Sequence, residues 1–148
     1  MTSNVHTGSP AGSADPMALE AARAYLRAHG EVEAPALGRS MGGAFEGAQA
    51  LVVATLQGRP RVGEVVVYER AGRWVAHRLL GCWRGSALTQ GDRLWQPDWP
   101  PCRMTALEGR VVAVVRAGRR LPVRASRLRV VCGWMRALAW LISRLWRR

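Results

Sequence analysis

At 148 residues the chain has room for one domain with its own core and is too short for two of ordinary size. It carries 22 basic and 10 acidic residues, a formal net charge of +12, and every basic residue is arginine. A mechanism that needs a lysine base is therefore excluded, while the charge favours anionic partners and says nothing about the fold.

Residues 1–16 are rich in Ser, Gly, Ala and Pro and have too little apolar surface to offset ordering entropy, so a disordered tail is expected. The same stretch lacks the apolar core of a secretory signal or a membrane span. Residues 17–30 predict a helix, with Asp15-Pro16 as cap and first turn and Gly30 as the stop; Leu19, Ala22 and Leu26 fall on one face.

Beyond Gly30 the period changes from helical to extended. "ALVVATL", "GEVVVYER", "RWVAHRLL", "SALTQ" and "GRVVAVVRAG" are β-branched runs joined by "QGRPRVG", "RAGR", "CWRG" and "QPDWPPC". The expected fold class is mainly β: a small antiparallel β domain over residues 31–125, with a helix on either side. No segment repeats at a fixed period, which excludes a solenoid.

Residues 126–148 become helical again and amphipathic. Arg129, Arg136, Ser143, Arg144 and Arg147 lie near one stripe, and Val131, Met135, Leu138, Leu141, Ile142 and Leu145 cover much of the rest. Arg136 and Arg144 oppose a crossing of the bilayer. Two placements remain: a lid with its apolar face in the β core, or a helix lying flat in an anionic membrane surface. Trp134, Trp140, Trp146 and the terminal Arg147-Arg148 pair favour the second. Nucleic acid is not an expected partner, because no recognition motif accompanies the charge.

Cys82, Cys102 and Cys132 form no CxxC pair and have no histidine at ligand spacing; they read as buried free thiols, and neither a metal nor a cofactor is expected. An odd cysteine count without a signal peptide points to a reducing compartment, giving a cytoplasmic or peripheral-membrane expectation.

Three histidines exist, and only His77 falls inside an expected strand, facing the same way as Val75 and Leu79; Trp74, Ala76 and Arg78 face the other way. Taken alone, His77 reads as a core histidine. Asp92 and Asp98 flank "RLWQP", each at a turn, and Ser40 opens the glycine-rich "RSMGGAF".

The order of these pieces links them. "GRSM", "GEVVVY", "VAHRLL", "LTQGDRLWQPD" and "LEGRVVAVV" together resemble the catalytic domain of signal peptidase I, in the branch that uses histidine where common bacterial enzymes use lysine. The wider group includes the self-cleaving LexA-type repressors. The resemblance covers roughly residues 36–116 and implies a serine endopeptidase that cleaves an extended peptide or protein substrate after small side chains. It implies Ser40 as nucleophile, His77 as general base, Asp98 as the third catalytic member and Asp92, the Gly-Asp aspartate, as support. It also implies the Ser40 amide as oxyanion donor and Met41 beside the substrate pocket, although Met41 reads equally as core filling.

The chemistry asks for these residue types. A serine hydroxyl needs a neighbouring base near the working pH, which imidazole supplies, and a carboxylate on the far ring nitrogen fixes the tautomer. Glycines on both sides of Ser40, Gly38 and Gly42, let the backbone approach a substrate carbonyl. The chain departs from the family where Gly43 stands for a proline and Gly47-Ala48 for a Gly-Asp pair, and the usual N-terminal anchor is not expected. A catalytically weakened peptide-binding domain of the same fold is the alternative, as is self-cleavage at Ala11-Gly12.

Overall fold

A computed structural model describes residues 15–146. The expected tail, the Ala11-Gly12 bond and Arg147-Arg148 lie outside the described residues, apart from Asp15 and Pro16. Helix α1 spans Pro16–His29, so Pro16 belongs to the helix rather than the tail. Asp15 caps it by accepting the Met17 N–H at 3.0 Å, and Pro16 begins it with its φ already helical. Gly30 closes it in the left-handed region at φ 77°, returning its N–H to the Leu26 carbonyl at 2.8 Å.

The chain between the helices is an eight-stranded sheet in which every pairing is antiparallel. Its strands are β1 (Glu31–Pro35), β2 (Ala50–Ala54), β3 (Val65–Arg70), β4 (Arg73–Trp83), β5 (Ser86–Gln90), β6 (Cys102–Arg103), β7 (Leu107–Arg116) and β8 (Arg119–Pro122). They run in the order β1-β2-β7-β3-β4-β5-β6, and β8 pairs with the far half of β7. The expected mainly β domain with a helix on either side is what the chain forms.

Strand β3 lies between β7 and β4 and is buried on both faces. Val65 and Val67 join Leu26, Met41, Val53 and Val111 on one side. Val66 and Tyr68 join Leu79, Ala87 and Leu107 on the other. Period-2 alternation thus sends one four-residue run into two cores, burying the strand on both faces.

Helix α1 is tied across the first face by Arg23. Its guanidinium reaches both Glu108 carboxylate oxygens at 2.6 Å and also bonds Glu20 and Glu69. Burial alone would raise the Glu108 carboxyl, but Arg23 and the Trp74 indole outweigh it and hold that carboxyl below its usual range.

Helix α2 spans Arg127–Leu145, with Ser126 as its cap. It packs on β4 through small residues: Gly133 and Ala137 are its buried positions, and a Cβ on Gly133 would come within 2.7 Å of a Leu80 methyl. The Trp134 indole donates to the Leu80 carbonyl at 3.2 Å. The helix therefore covers the domain as a lid would, but with Gly and Ala inward, leaving most of its large apolar side chains exposed. Among the described residues no helix is long and apolar enough to cross a membrane.

The cysteines are free, but none is fully buried, contrary to the expectation of buried thiols. Cys82 and Cys102 are half-buried, whereas Cys132 is exposed because it sits on the outward side of α2.

Candidate active site

Ser40 lies between β1 and a 3₁₀ turn at Gly43–Phe45, His77 in the middle of β4, and Asp98 in the loop joining β5 to β6. These three segments converge. The Ser40 Oγ is 3.0 Å from His77 Nε2, and His77 Nδ1 is 2.6 Å from Asp98 Oδ2. Ser40 is half-exposed, while His77 and Asp98 are buried, so the row runs from solvent into the domain.

Asp98 is held from several sides. Its own N–H donates to the Thr89 carbonyl at 2.8 Å. Its Oδ2 accepts from the Thr89 hydroxyl at 2.7 Å and the Tyr68 hydroxyl at 2.9 Å, and Arg70 approaches Oδ1 at 3.4 Å. Burial by itself would raise this carboxyl; hydrogen bonds from His77, Thr89 and Tyr68 outweigh burial and hold it below the ordinary carboxylate value. Burial, reinforced by the Asp98 charge and only partly opposed by Thr89, pushes the Tyr68 hydroxyl up, so it stays a donor.

The tautomer follows from these contacts. An ionised Asp98 can only accept, so the proton must sit on His77 Nδ1. In the neutral ring Nε2 is then the acceptor, and the Ser40 hydroxyl donates to it. That is the polarity a serine nucleophile and an imidazole base require.

Asp92, expected as support, lies outside the Ser40–His77–Asp98 row. Its two carboxylate oxygens take a bidentate pair from Arg78 at 2.7 Å each, and Arg129 of α2 adds a bond at 2.8 Å. Asp92 is bonded to neither His77 nor Ser40. The reason is strand alternation: Arg78 follows His77 on β4 and points to the opposite face, so the two aspartates of one loop serve opposite sides of one strand.

The residues on either side of Asp92 touch the Ser40 turn. The Ser40 carbonyl accepts the Arg93 N–H at 2.8 Å, and a Cβ on Gly91 would meet that same carbonyl at 2.7 Å. Segment 91–93 thus packs backbone to backbone on the Ser40 turn.

Gly42, at φ 38°, turns the chain sharply after Met41, and a Cβ there would run into the Arg93 side chain. At position 43, where the sequence resemblance leads one to expect proline, this chain has Gly43 at φ 46°, a conformation the proline ring cannot adopt, with the Arg129 guanidinium packed against it. Of its two sequence readings, Met41 fits core filling: it is 5% exposed and packs with Leu26, Val53 and Val111. Gly38 turns the backbone at φ 95°, and the space a Cβ would occupy there is open.

Sequence reasoning missed Tyr68 and Thr89 as the groups that fix Asp98, and Arg129 as a third partner for the Asp92 cluster. The first two lie inside "GEVVVY" and "LTQGD", so their motifs were in view while their roles were not. Searches against protein-family models, curated proteins and solved structures give no match for this chain.

Proposed function

We propose that the protein is a serine endopeptidase of the signal peptidase type, with Ser40, His77 and Asp98 as its triad. The observation that carries the reading is the continuous hydrogen-bonded row Ser40–His77–Asp98, built from three segments far apart in sequence. The His77 Nε2 to Ser40 spacing of 3.0 Å counts against the alternative of a binding domain with a dismantled site.

In this reading the Ser40 Oγ attacks the carbonyl carbon of an extended peptide as His77 Nε2 takes the hydroxyl proton. The Ser40 N–H stabilises the resulting oxyanion, and Asp98 stabilises the imidazolium without itself being protonated. The imidazolium then gives its proton to the leaving amine, the C–N bond breaks, and an acyl-serine remains. Water, deprotonated by the same nitrogen, releases the acid and restores Ser40. Cleavage after small side chains is what the family resemblance implies for the substrate.

The domain is proposed to work in the cytoplasm or at a membrane surface, with no cofactor. The test is hydrolysis of an extended peptide with alanine before the scissile bond. Turnover by the wild type with loss in Ser40→Ala supports the reading. Equal turnover in both removes Ser40 from the mechanism.

A further inference from the structure

We infer that the outward face of α2 is a docking surface for an anionic lipid bilayer, on which the domain lies without crossing. At about 100° per residue, Leu128, Val131, Met135, Leu138, Ile142 and Leu145 fill one side of α2. Each is 47–74% exposed. No acidic residue interrupts this arc, and Trp146 ends it at 88% exposure. An apolar strip of this kind on a folded domain marks an interaction surface.

The helix cannot roll to hide it. Gly133 and Ala137 seat its other side on β4, the Trp134 indole is bonded to the Leu80 carbonyl, and Arg129 is bonded to Asp92. The apolar arc is therefore held outward by the same contacts that dock the helix. Near α2, Trp95 and Trp99 of the β5–β6 loop stand 64% and 67% exposed around an open groove that Trp140 also lines.

Charge decides what covers the arc. From Gly109 to Arg148 the chain carries 11 arginines and no acidic residue. A second copy of the chain would bring two such segments together and repel. An anionic bilayer offers apolar depth for the arc and negative headgroups for the arginines that flank it, two signals that together give stable surface binding. Arg144, stacked on Trp140 at 5.4 Å, holds a cation beside an aromatic side chain.

The inference does not rest on catalysis, and the test keeps the two apart. The full-length protein is mixed with vesicles of phosphatidylcholine alone or with phosphatidylglycerol added, and co-flotation and tryptophan emission are followed as salt is raised. Flotation with the anionic vesicles only, a blue shift on binding, and release by salt are expected. Ser40→Ala should float like the wild type.

Leu138→Glu with Leu145→Glu should weaken binding by at least about tenfold, because both side chains would enter the acyl boundary. Both positions are solvent-exposed, so thermal unfolding should not change; the uncharged pair Leu138→Gln and Leu145→Gln should weaken binding by a smaller factor. No flotation with anionic vesicles, or unchanged flotation of the glutamate pair, would overturn the proposal. So would a solution dimer that Leu138→Glu dissolves, which would assign the arc to a second copy.

Discussion

His77 Nδ1 lies 2.6 Å from Asp98 Oδ2, and Asp98 receives two further hydroxyl donors from Tyr68 and Thr89. The carboxylate thus has a single proton-bearing ring nitrogen to orient and no freedom to turn away. Asp98→Asn offers a donor amide in its place, favouring the ring tautomer that carries its proton on Nε2, where it cannot accept from Ser40. A fall in kcat of about 10⁴-fold is expected with the fold retained, read by peptide hydrolysis and circular dichroism. A loss of less than about tenfold would mean that Asp98 does not set the tautomer.

The same carboxyl gives a pH signature. Its folded value is held below the ordinary one that the unfolded chain would show, so the unfolded state binds more protons through the acid range. The stability it contributes is complete above the unfolded carboxylate value, about pH 4, and is lost as pH falls through the folded value. Urea unfolding across this range should give stability rising with pH, with a shallower rise in Asp98→Asn. Identical slopes would show that Asp98 is not the group responsible.

Asp92 and Arg78 form a buried bidentate pair that Arg129 joins from a more exposed position. Asp92→Ala would leave the Arg78 charge buried and unpaired, at a cost of about 3–5 kcal/mol. Arg129→Ala leaves that pair intact and, with its side chain 38% exposed, should cost less than about 1 kcal/mol. Chemical denaturation of the two variants checks the order, and equal losses would sink it.

Gly133 distinguishes a docked helix from a free one by sign. On an undocked helix Gly133→Ala would stabilise by up to about 1 kcal/mol through helix propensity. Here the new Cβ would stand 2.7 Å from a buried Leu80 methyl and 3.2 Å from Gln90 Oε1, so the substitution should lower the melting temperature. A higher melting temperature would show that α2 does not sit on β4.

Much of this architecture was legible in the chain because strong local signals agreed with the fold. Asp15, Pro16 and Gly30 bound α1 as capping chemistry predicts, and the "VVVY" run marks the strand buried on both faces. Strands β1, β6 and β8 gave no such signal. "EVEAP" pairs charge with proline, β6 has two residues, and "RRLP" is wholly exposed, so pairing with neighbours rather than burial makes them strands. The Ser40–His77–Asp98 row was legible through its order along the chain, but the different surroundings of Asp92 and Asp98 were not. That difference depends on which face of β4 each aspartate meets, a tertiary fact that spacing does not carry. The inward choice of Gly133 and Ala137 over leucine on α2 was hidden likewise, because the amphipathic pattern of the helix points its large side chains, not its small ones, toward an expected core.

Whether Ser40 is a nucleophile activated by His77 is decided by intact-mass analysis after exposure to an acylating or phosphonylating serine reagent. One covalent adduct on Ser40 is expected in the wild type, none in Ser40→Ala, and strongly slowed labelling in His77→Ala despite an intact serine. No adduct on the folded wild type, or labelling that proceeds equally in Ser40→Ala, would contradict the assignment.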